Sequence, residues 1–330
     1  MRVLVTGSAG HLGEALARTL QAKKHEVVGL DLLDSPCTTH VGSVSDPDLL
    51  LRCTRGIDVV MHTATLHKPH IETHSRRDFI ETNVSGTLAV LEAALANRVS
   101  SVIFTSTTSV YGMAMRPTDQ APAIRVTESL QPVPKNIYGA SKMAAEELCA
   151  LFQRTKGLPL IVLRTSRFFL EADDRPDLRF EYDDLNLKVN EFLYRRLDIA
   201  DAVDAHLCAA ERAVDIGFGR YVVSATTPFQ AEHYAVLRTD TPVVVRELFP
   251  DYPEEYQRRG WKMLAGIERV YDNQRAREEL GWRPRLDFRT ALDRLQNDED
   301  VFSPLARKTG IKGYHEQKFT NGPYPVGEPE

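Results

Sequence analysis

Glycine recurs at three-residue intervals in the segment Thr6–Gly13, which joins a run of aliphatic residues to a stretch of helical periodicity. The preceding run, Arg2–Thr6, predicts a strand. In such a turn Gly7 allows a tight bend, Gly10 lets the backbone approach a bound group closely, and Gly13 lets the helix pack on the strand. The free N–H groups and partial positive charge at a helix N-terminus favour phosphate. The segment therefore predicts a strand–turn–helix unit that binds a pyrophosphate.

Short β-branched runs alternate with helical periodicity through the first half of the chain. This alternation is typical of βαβ units, which form a parallel sheet with helices on both faces. The predicted strands are Arg2–Thr6, Glu26–Leu30, Ile57–Met61, Val102–Thr105 and Leu160–Arg164. The predicted helices are Leu12–Ala22, Ser75–Asn97 and Tyr138–Thr155. The predicted fold class is α/β, with a doubly wound parallel sheet whose ligands bind beyond the carboxyl ends of the strands.

The strand–helix pattern loosens from about residue 166. Further helices are predicted at Asp198–Arg212, Asp272–Leu280 and Phe288–Gln296, with proline-punctuated loops between them. The final stretch holds several Pro and Gly residues and predicts extended chain. We therefore predict three parts. They are a dinucleotide-binding domain over residues 1–165, a smaller, partly interleaved α+β substrate-binding domain over 166–302, and an extended tail over 303–330.

Asp31 follows the second predicted strand, where an acidic residue would bind the ribose hydroxyls of adenosine. A carboxylate at this place repels a 2′-phosphate, and no arginine follows it directly. The glycine turn and Asp31 together predict NAD, rather than NADP, as the cofactor. The alternative is that the glycine turn is only structural and that Asp31 is an ordinary exposed residue. That alternative is less favoured, because the strand, turn, helix and acidic residue occur together at the right distances.

A tyrosine and a lysine stand four residues apart in Tyr138-Gly139-Ala140-Ser141-Lys142, which places them on one face of a predicted helix. A phenol has an ordinary pKa near 10, and a neighbouring ammonium favours the phenolate and lowers that pKa. Hydroxyl side chains follow the strand Val102–Thr105, and one of them could hydrogen-bond a substrate oxygen as its charge changes. The combination predicts acid–base chemistry on an alcohol or a carbonyl group.

The charge and composition exclude several classes of protein. The chain has 41 basic and 46 acidic residues, a net charge of -5, so no long-range attraction for nucleic acid or an anionic membrane is expected. No apolar run reaches the roughly 18–20 residues that span a bilayer. The N-terminus reads as a strand rather than a signal peptide, and the four cysteines form no CxxC pair. We therefore expect reduced thiols and a cytoplasmic protein.

With these motifs in order, the sequence closely resembles the extended short-chain dehydrogenase/reductase superfamily, in its NAD-dependent epimerase/dehydratase family. The resemblance is strong over the first half and continues to about residue 296. It implies a Rossmann-type fold with a small C-terminal substrate domain. The motifs that carry it are Thr6–Gly13, Asp31, His62–Thr65, Asn83–Thr87, the hydroxyl cluster before Val110-Tyr111-Gly112, Tyr138–Lys142, Leu163-Arg164 and Leu280–Pro284.

The resemblance also implies a role for individual residues. Thr107 would be the catalytic hydroxyl, Tyr138 the general acid/base and Lys142 its partner, which also holds the nicotinamide ribose. The implied cofactor-binding residues are Gly7, Gly10, His11, Leu12, Gly13, Asp31, Ser43, Val44, Ala64, Asn83, Tyr138 and Lys142. His11 and Leu12 would contribute backbone at the pyrophosphate, and Ser43 and Val44 would lie beside the adenine. A homodimer through helices of the first domain is the expected assembly.

Three segments depart from the pattern of the relatives that bind nucleotide sugars. Arg164–Phe169 stands where an asparagine is usual, and Asp198-Ile199-Ala200-Asp201 replaces the familiar His-Val-x-Asp helix opening. The Arg-x-Gly-Asp segment that clamps a diphosphate has only Arg258-Arg259-Gly260-Trp261 as a doubtful counterpart. These departures leave the general chemistry intact and weaken the assignment of a UDP-sugar substrate.

The loop Leu66–His70 follows the predicted strand Ile57–Met61 and is expected to overhang the nicotinamide. Its histidines and lysine suit an anionic or polyhydroxylated substrate, or proton transfer, and a solvated polar loop is an equal alternative. His67 is predicted to bind substrate, as is Arg167, whose guanidinium could grip a carboxylate or phosphate. No metal site is predicted, because a fourth zinc ligand is lacking.

The leading hypothesis is an NAD-dependent enzyme that acts on a sugar or nucleotide sugar by reversible hydride transfer, similar to UDP-glucose 4-epimerase. A simple dehydrogenase of a free sugar, sugar acid or hydroxysteroid, with net release of NADH, is the first alternative. A non-catalytic NAD-sensing protein is the second. A dehydratase is disfavoured, because Thr108 and Ser109 follow Thr107 where an acid–base pair of carboxylates would be needed.

Overall fold

The computed structural model describes residues 1–313, which form a seven-stranded parallel sheet and a separate two-stranded sheet. The strands are β1 (Arg2–Thr6), β2 (Glu26–Asp31), β3 (His40–Val41), β4 (Val59–His62), β5 (Ser101–Thr107), β6 (Ile124–Val126), β7 (Leu160–Thr165), β8 (Phe218–Val223) and β9 (Arg269–Tyr271). The order across the large sheet is β3-β2-β1-β4-β5-β7-β8. The chain thus reverses its direction of winding beside β1, which is where α/β sheets bind ligands. The predicted doubly wound α/β fold is confirmed.

Helices cover both faces of the large sheet. They are α1 (His11–Ala22), α2 (Pro47–Cys53), α3 (Arg76–Ile80), α4 (Gly86–Ala96), α5 (Ile137–Lys156), α6 (Pro176–Glu181), α7 (Asp184–Glu191), α8 (Ile199–Ile216), α9 (Tyr234–Leu237), α10 (Thr241–Leu248), α11 (Tyr252–Arg259), α12 (Gln274–Glu279), α13 (Phe288–Gln296) and α14 (Pro304–Thr309). Helices α1 and α8 pack on one face, and α2, α4 and α5 pack on the other.

Strand β1 shows why the aliphatic runs of the sequence become central strands. Val3, Leu4 and Val5 are fully buried, and alternate side chains enter different cores. Val3 and Val5 contact the core beneath α1 and α8, whereas Leu4 contacts the core beneath α2 and α4. A parallel strand covered on both faces is apolar at successive positions, which is the pattern that predicted this sheet.

The predicted helix Ser75–Asn97 is divided by a π-helical turn at Glu81–Ser85. This wider turn contains Asn83, whose side chain accepts a hydrogen bond from Leu66 N at 2.8 Å and donates one to Ser141 Oγ at 2.9 Å. The widened backbone therefore carries a side chain that ties the loop after β4 to α5. Local periodicity does not reveal this turn, because the bonds that favour it are formed by distant residues.

Residues beyond 165 also contribute to the large sheet, through β8 and the covering helix α8. The small sheet pairs Ile124–Val126 with Arg269–Tyr271 and so joins the two halves of the sequence. The late motif around Trp282 is anchored on α8, because the buried indole donates to Asp201 O at 3.0 Å. The division into two partly interleaved domains at residues 165 and 166 stays a prediction.

The predicted extended tail begins with the helix Pro304–Thr309 instead. Ser303 accepts a hydrogen bond from Ala306 N at 3.1 Å, and proline occupies the first helical position, where no N–H is needed. The remainder of the predicted tail, 314–330, lies outside the described residues. Among residues 1–313, no helix is both long and apolar enough to cross a membrane.

Candidate active site

A cleft of about 550 Å³ opens at the carboxyl ends of β1, β4, β5 and β7. Most of the predicted site residues lie in its wall, which is where the strand order places ligands. Those that line it are Gly7, Gly10, His11, Leu12, Gly13, Asp31, Ser43, Val44, Ala64, His67, Thr107, Tyr138 and Arg167. Lys142 and Asn83 are not part of the wall. The cleft thus joins the predicted cofactor turn to Thr107 and Tyr138, whereas Lys142, the predicted partner of Tyr138, lies outside its wall.

The glycine turn has no room for side chains. Gly7 adopts a φ of +75°, and a Cβ there would lie 2.7 Å from Ala64 N. A Cβ on Gly13 would fall far inside the contact distance of the Gly7 carbonyl oxygen. Gly10 precedes α1 in extended conformation and has no side chain to cap the helix, so the first N–H groups of α1 point into the cleft wall. This cradle fits the pyrophosphate of a dinucleotide.

Asp31 ends β2 at the adenosine side of the predicted cofactor site. Its carboxylate accepts hydrogen bonds from Ala9 N at 2.9 Å and from Leu33 N at 3.0 Å. These two bonds fix the carboxylate beside the glycine turn. Ser43 and Val44 follow β3, the neighbouring strand, and line the same end of the cleft. The arrangement suits ribose hydroxyls and an adenine ring.

Tyr138 lies in the first turn of α5 and faces Thr107 at the end of β5. Asn136 caps the helix by accepting from Gly139 N at 3.0 Å. Gly139 allows close packing, since a Cβ there would lie 2.8 Å from Ser109 O. Burial raises the pKa of Tyr138 to about 12, and a hydrogen bond with Thr107 opposes this change. The phenol is therefore protonated at neutral pH and close to a second hydroxyl.

Lys142 lies one helical turn after Tyr138 but packs beneath the cleft. Its side chain is buried, and Nζ lies 4.0 Å from the centroid of the Phe104 ring. Burial lowers the pKa of Lys142 to about 7, while nearby Glu146 opposes that change. The sequence predicted that Lys142 would lower the pKa of Tyr138. The pKa of Tyr138 is raised instead, because the effect of burial is the larger one.

The loop after β4 brings histidines to the same end of the cleft. The His67 ring stacks on Phe169, with centroids 5.6 Å apart and planes at 26°, and meets the Tyr138 ring edge-on at 6.4 Å. His67 N donates to His70 Nδ1 at 3.0 Å and bends the loop back. The loop therefore lies beside Tyr138, and its position above the nicotinamide stays a prediction. His74, which follows the loop, is exposed.

Arg167 lines the cleft, but its guanidinium is engaged by acidic groups. It pairs with Asp173 and lies 3.6 Å from Asp174 and 3.4 Å from Glu191. Arg195 joins the same network by pairing with Glu191 and Asp173. The network holds Arg167 as part of the wall, which leaves its guanidinium less available for a substrate than the sequence suggested.

The structure gives acidic partners to Lys68 and His11, which the sequence had placed in or near the site, and adds wall residues that sequence reasoning missed. Lys68 and Asp174 pair in the cleft wall, and Glu171 binds the buried His11 ring at 2.7 Å between Oε1 and Nε2. Lys135, Met115, Arg269, Tyr271 and Lys312 also line the cleft. Loop segments or the small sheet carry most of these residues, and no motif or periodicity marks them.

The doubtful diphosphate clamp lies away from the cleft. Arg258 and Arg259 bind Glu255 and Asp298, and neither arginine lines the cleft. The segment stabilises α11 against the end of α13 instead, through further bonds from both arginines to Leu295 O. Among the described residues, no group of three His, Cys, Asp or Glu side chains is placed to hold a metal ion.

Comparison with known proteins agrees with this geometry. Residues 3–182 match the model of the NAD dependent epimerase/dehydratase family. A UDP-glucose 4-epimerase of Halalkalibacterium halodurans is 30% identical over 192 residues, 56% of this chain and 54% of that protein. An L-arabinose 1-dehydrogenase (NAD(P)(+)) of Haloferax volcanii is 34% identical over 184 residues, 52% of this chain and 69% of that protein. The chain thus spans about half the length of the first of these relatives.

The fold has close counterparts among solved structures. A short-chain dehydrogenase/reductase superfamily protein from Agrobacterium tumefaciens with bound NAD superposes with a TM-score of 0.64. It is 22% identical and covers 94% of this chain and 97% of its own. The family match covers more than half of the chain and confirms the predicted NAD-dependent enzyme family and its cofactor. The chain therefore belongs to the NAD dependent epimerase/dehydratase family.

Proposed function

We propose that this chain catalyses reversible oxidation of a hydroxyl group on a sugar or nucleotide sugar, with NAD as the cofactor. The observation that carries the proposal is the hydrogen-bonded pair Thr107 and Tyr138 in the wall of the cleft that begins at the glycine turn. When bound, NAD supplies the hydride acceptor for this chemistry. The residues of this chain bind and orient the cofactor and the substrate, and they transfer the proton.

The turn Gly7–Gly13 would hold the pyrophosphate through backbone N–H groups, with His11 and Leu12 in the first turn of α1. Asp31 would bind the adenosine ribose, and Ser43, Val44 and Ala64 would line the rest of the dinucleotide. Lys142 would hold the nicotinamide ribose once its ammonium moves from the Phe104 ring toward the cleft. Asn83 acts at a distance, by fixing the loop that carries Ala64.

Proton transfer is assigned to Tyr138. In the oxidation, Tyr138 would act in its ionised form: the substrate O–H bond breaks and its proton passes to the phenolate oxygen, while the electron pair of the adjacent C–H bond leaves as hydride for the bound NAD. Thr107 donates a hydrogen bond to the substrate oxygen as the alcohol becomes a carbonyl. In the reverse direction the protonated phenol, favoured by its raised pKa, returns the proton. The His67 ring meets the Tyr138 ring edge-on at 6.4 Å and so lies beside this centre.

Two outcomes share this chemistry. If the ketone rotates in the site and hydride returns to its other face, the product is an epimer and there is no net redox change, as in UDP-glucose 4-epimerase. If the ketone leaves, the enzyme is a dehydrogenase. The second outcome is favoured by one observation: Arg258 and Arg259, the nearest match to a diphosphate clamp, are bound to Glu255 and Asp298 away from the cleft. A dehydrogenase of a free sugar or sugar acid is therefore the second candidate.

The test is a Tyr138→Phe variant assayed on a panel of nucleotide sugars, free sugars and sugar acids. We expect wild-type turnover on at least one class and a loss of about 10²–10⁴-fold in kcat for the variant, with NAD binding unchanged. Tyr234→Phe, outside the cleft wall, is the matched control and should keep full activity. Unchanged turnover by Tyr138→Phe contradicts the assigned role. Tight NAD binding without turnover on any panel member supports the NAD-sensing alternative.

Retention of the cofactor separates the epimerase from the dehydrogenase. An epimerase keeps NAD through purification and shows no net reduced-nicotinamide absorbance during turnover, whereas a dehydrogenase exchanges NAD and accumulates NADH. We also retain the homodimer and the cytoplasmic location as parts of the proposal. Sedimentation velocity of the purified protein tests the homodimer, and cell fractionation tests the location.

A further inference from the structure

Most charged side chains in the cleft wall have a partner of opposite charge. Lys68 pairs with Asp174, Arg167 and Arg195 pair with Asp173 and Glu191, His11 pairs with Glu171, and Lys312 pairs with Glu14. Asp31 lies at the other end of the cleft, beside β2. Within residues 1–313, only Lys135 and Arg269 of the cleft-lining cations form no ion pair. The end of the cleft near Tyr138 thus carries positive charge that the protein does not neutralise.

Arg269 is held in the wall by the small sheet. It pairs in register with Ile124, and its strand continues to Tyr271, which is on the same face because side chains alternate along a strand. Both side chains line the cleft, and Tyr271 is tethered by a hydrogen bond from its hydroxyl to Met115 Sδ at 3.4 Å. Arg269 Nε is buried and has no hydrogen-bond partner in the described part of the chain. A buried guanidinium nitrogen without an acceptor is an incomplete arrangement.

Lys135 faces the same space from the segment just before α5. Gly112, with a φ of +48°, allows this segment to pack closely, since a Cβ there would lie 2.7 Å from Lys135 N. Met113 N donates to Val133 O at 2.8 Å and fixes the approach. These contacts fix the backbone at Lys135, which precedes Tyr138 by three residues. Lys135 remains exposed to solvent, and its partial desolvation together with the positive charges of Arg116 and Arg269 lowers its pKa.

We infer that Lys135 and Arg269 bind an anionic group of the substrate, a carboxylate or a phosphate, beside the hydroxyl group that Tyr138 deprotonates. This inference rests on the proposed function and names its substrate class: an acidic sugar that carries its own negative charge and needs no nucleotide. Two adjacent cations without an anion repel each other, and a planar guanidinium with an ammonium is a common grip for carboxylate and phosphate oxygens. Arg258 and Arg259 pair with Glu255 outside the cleft wall, and this position is consistent with a substrate that lacks a diphosphate.

The test uses matched sugars that differ only in the group at C6, which is a neutral hydroxymethyl, a carboxylate or a phosphate ester. D-Galactose, D-galacturonate and D-galactose 6-phosphate, the corresponding glucose series, and UDP-glucose are titrated calorimetrically into the protein saturated with NADH. We expect at least one charged sugar to bind about tenfold more tightly than its neutral counterpart. Tighter binding of the uronate identifies the carboxylate as the group, and tighter binding of the phosphate ester identifies the phosphate.

Variants locate the effect. Arg269→Gln and Lys135→Gln should each weaken binding of the charged sugar about three- to tenfold, and the double variant should abolish the preference. Neutral sugars should bind unchanged, and Arg269→Lys should keep part of the preference. Lys156→Gln, an exposed lysine at the far end of α5, is the matched control. Lys135 is exposed, so its variant reports on the site even where a change at Arg269 impairs folding.

The inference is overturned if neither charged sugar binds more tightly than its neutral counterpart, if UDP-glucose alone binds, or if Arg269→Gln and Lys135→Gln retain the preference. The same measurements keep the two proposals apart. Charged-sugar preference together with unchanged turnover by Tyr138→Phe refutes the proposed function and keeps the anion site. Loss of turnover by Tyr138→Phe without any preference for charge does the reverse.

Discussion

Replacement of Lys142 by methionine should stabilise the fold while it abolishes activity. Burial lowers the pKa of Lys142 from its ordinary 10.5 to about 7, so the folded protein holds this proton less tightly than the unfolded chain does. The difference corresponds to a penalty of about 5 kcal/mol, complete below about pH 7 and lost as the pH rises toward 10.5. The attraction of the ammonium to the Phe104 ring offsets part of it. We therefore expect Lys142→Met to gain about 2–4 kcal/mol at pH 7.

Urea unfolding followed by circular dichroism measures this gain at pH 7 and at pH 10. At pH 10 the difference between variant and wild type should shrink to below about 1 kcal/mol, because most of the penalty has then disappeared. Lys156→Met, on the same helix but exposed, is the control and should change stability by less than about 0.5 kcal/mol at either pH. A variant that is less stable than wild type at pH 7, or an equal gain at both pH values, refutes the reasoning.

Three further predictions concern the cofactor and the proton. Gly13→Ala should abolish NADH binding, measured by fluorescence, because a Cβ would collide with the backbone of the glycine turn; binding within threefold of wild type contradicts this. Asp31→Ala should weaken NAD binding about tenfold and reduce discrimination against NADP, measured as the ratio of the two kcat/KM values, since the ribose hydroxyls lose an acceptor. The pKa of Tyr138 is raised to about 12, and only the phenolate accepts a proton, so kcat/KM for oxidation should increase between pH 6 and pH 9. The kcat/KM for the reduction should not increase over this range. A flat pH profile for the oxidation argues against Tyr138 as the base.

Much of the fold was predictable because it depends on patterns that are local in sequence. The five predicted strands agree with β1, β2, β4, β5 and β7 to within two residues at each end. The π-helical turn at Glu81–Ser85 was missed because its cause is the tertiary bonding of Asn83. The small sheet was missed because β6 and β9 are three residues each and lie more than 140 residues apart, so neither shows a periodicity of its own.

The candidate site was predictable where a motif carries its own geometry. The glycine turn and the start of α5 are of this kind, and both line the cleft. The state of Lys142 was not predictable, because its pKa depends on how deeply Nζ is buried rather than on its spacing from Tyr138. The pairing of Arg167 with Asp173 and Glu191 was equally hidden, since the partners are brought together only by the loop after β7.

The closed ion network around Glu191 also bears on how this enzyme could acquire new substrates. Glu191 binds Arg167, Arg195 and Arg196, and Asp173 bridges two of these arginines. Removal of Glu191 leaves the buried Arg196 without an acidic partner among the described residues, at a cost of about 3–5 kcal/mol. A change of substrate at this wall therefore requires two substitutions together, one that removes an acidic residue and one that removes its basic partner. A laboratory selection that starts from single substitutions will find tolerated changes at the unpaired cations long before it finds them here.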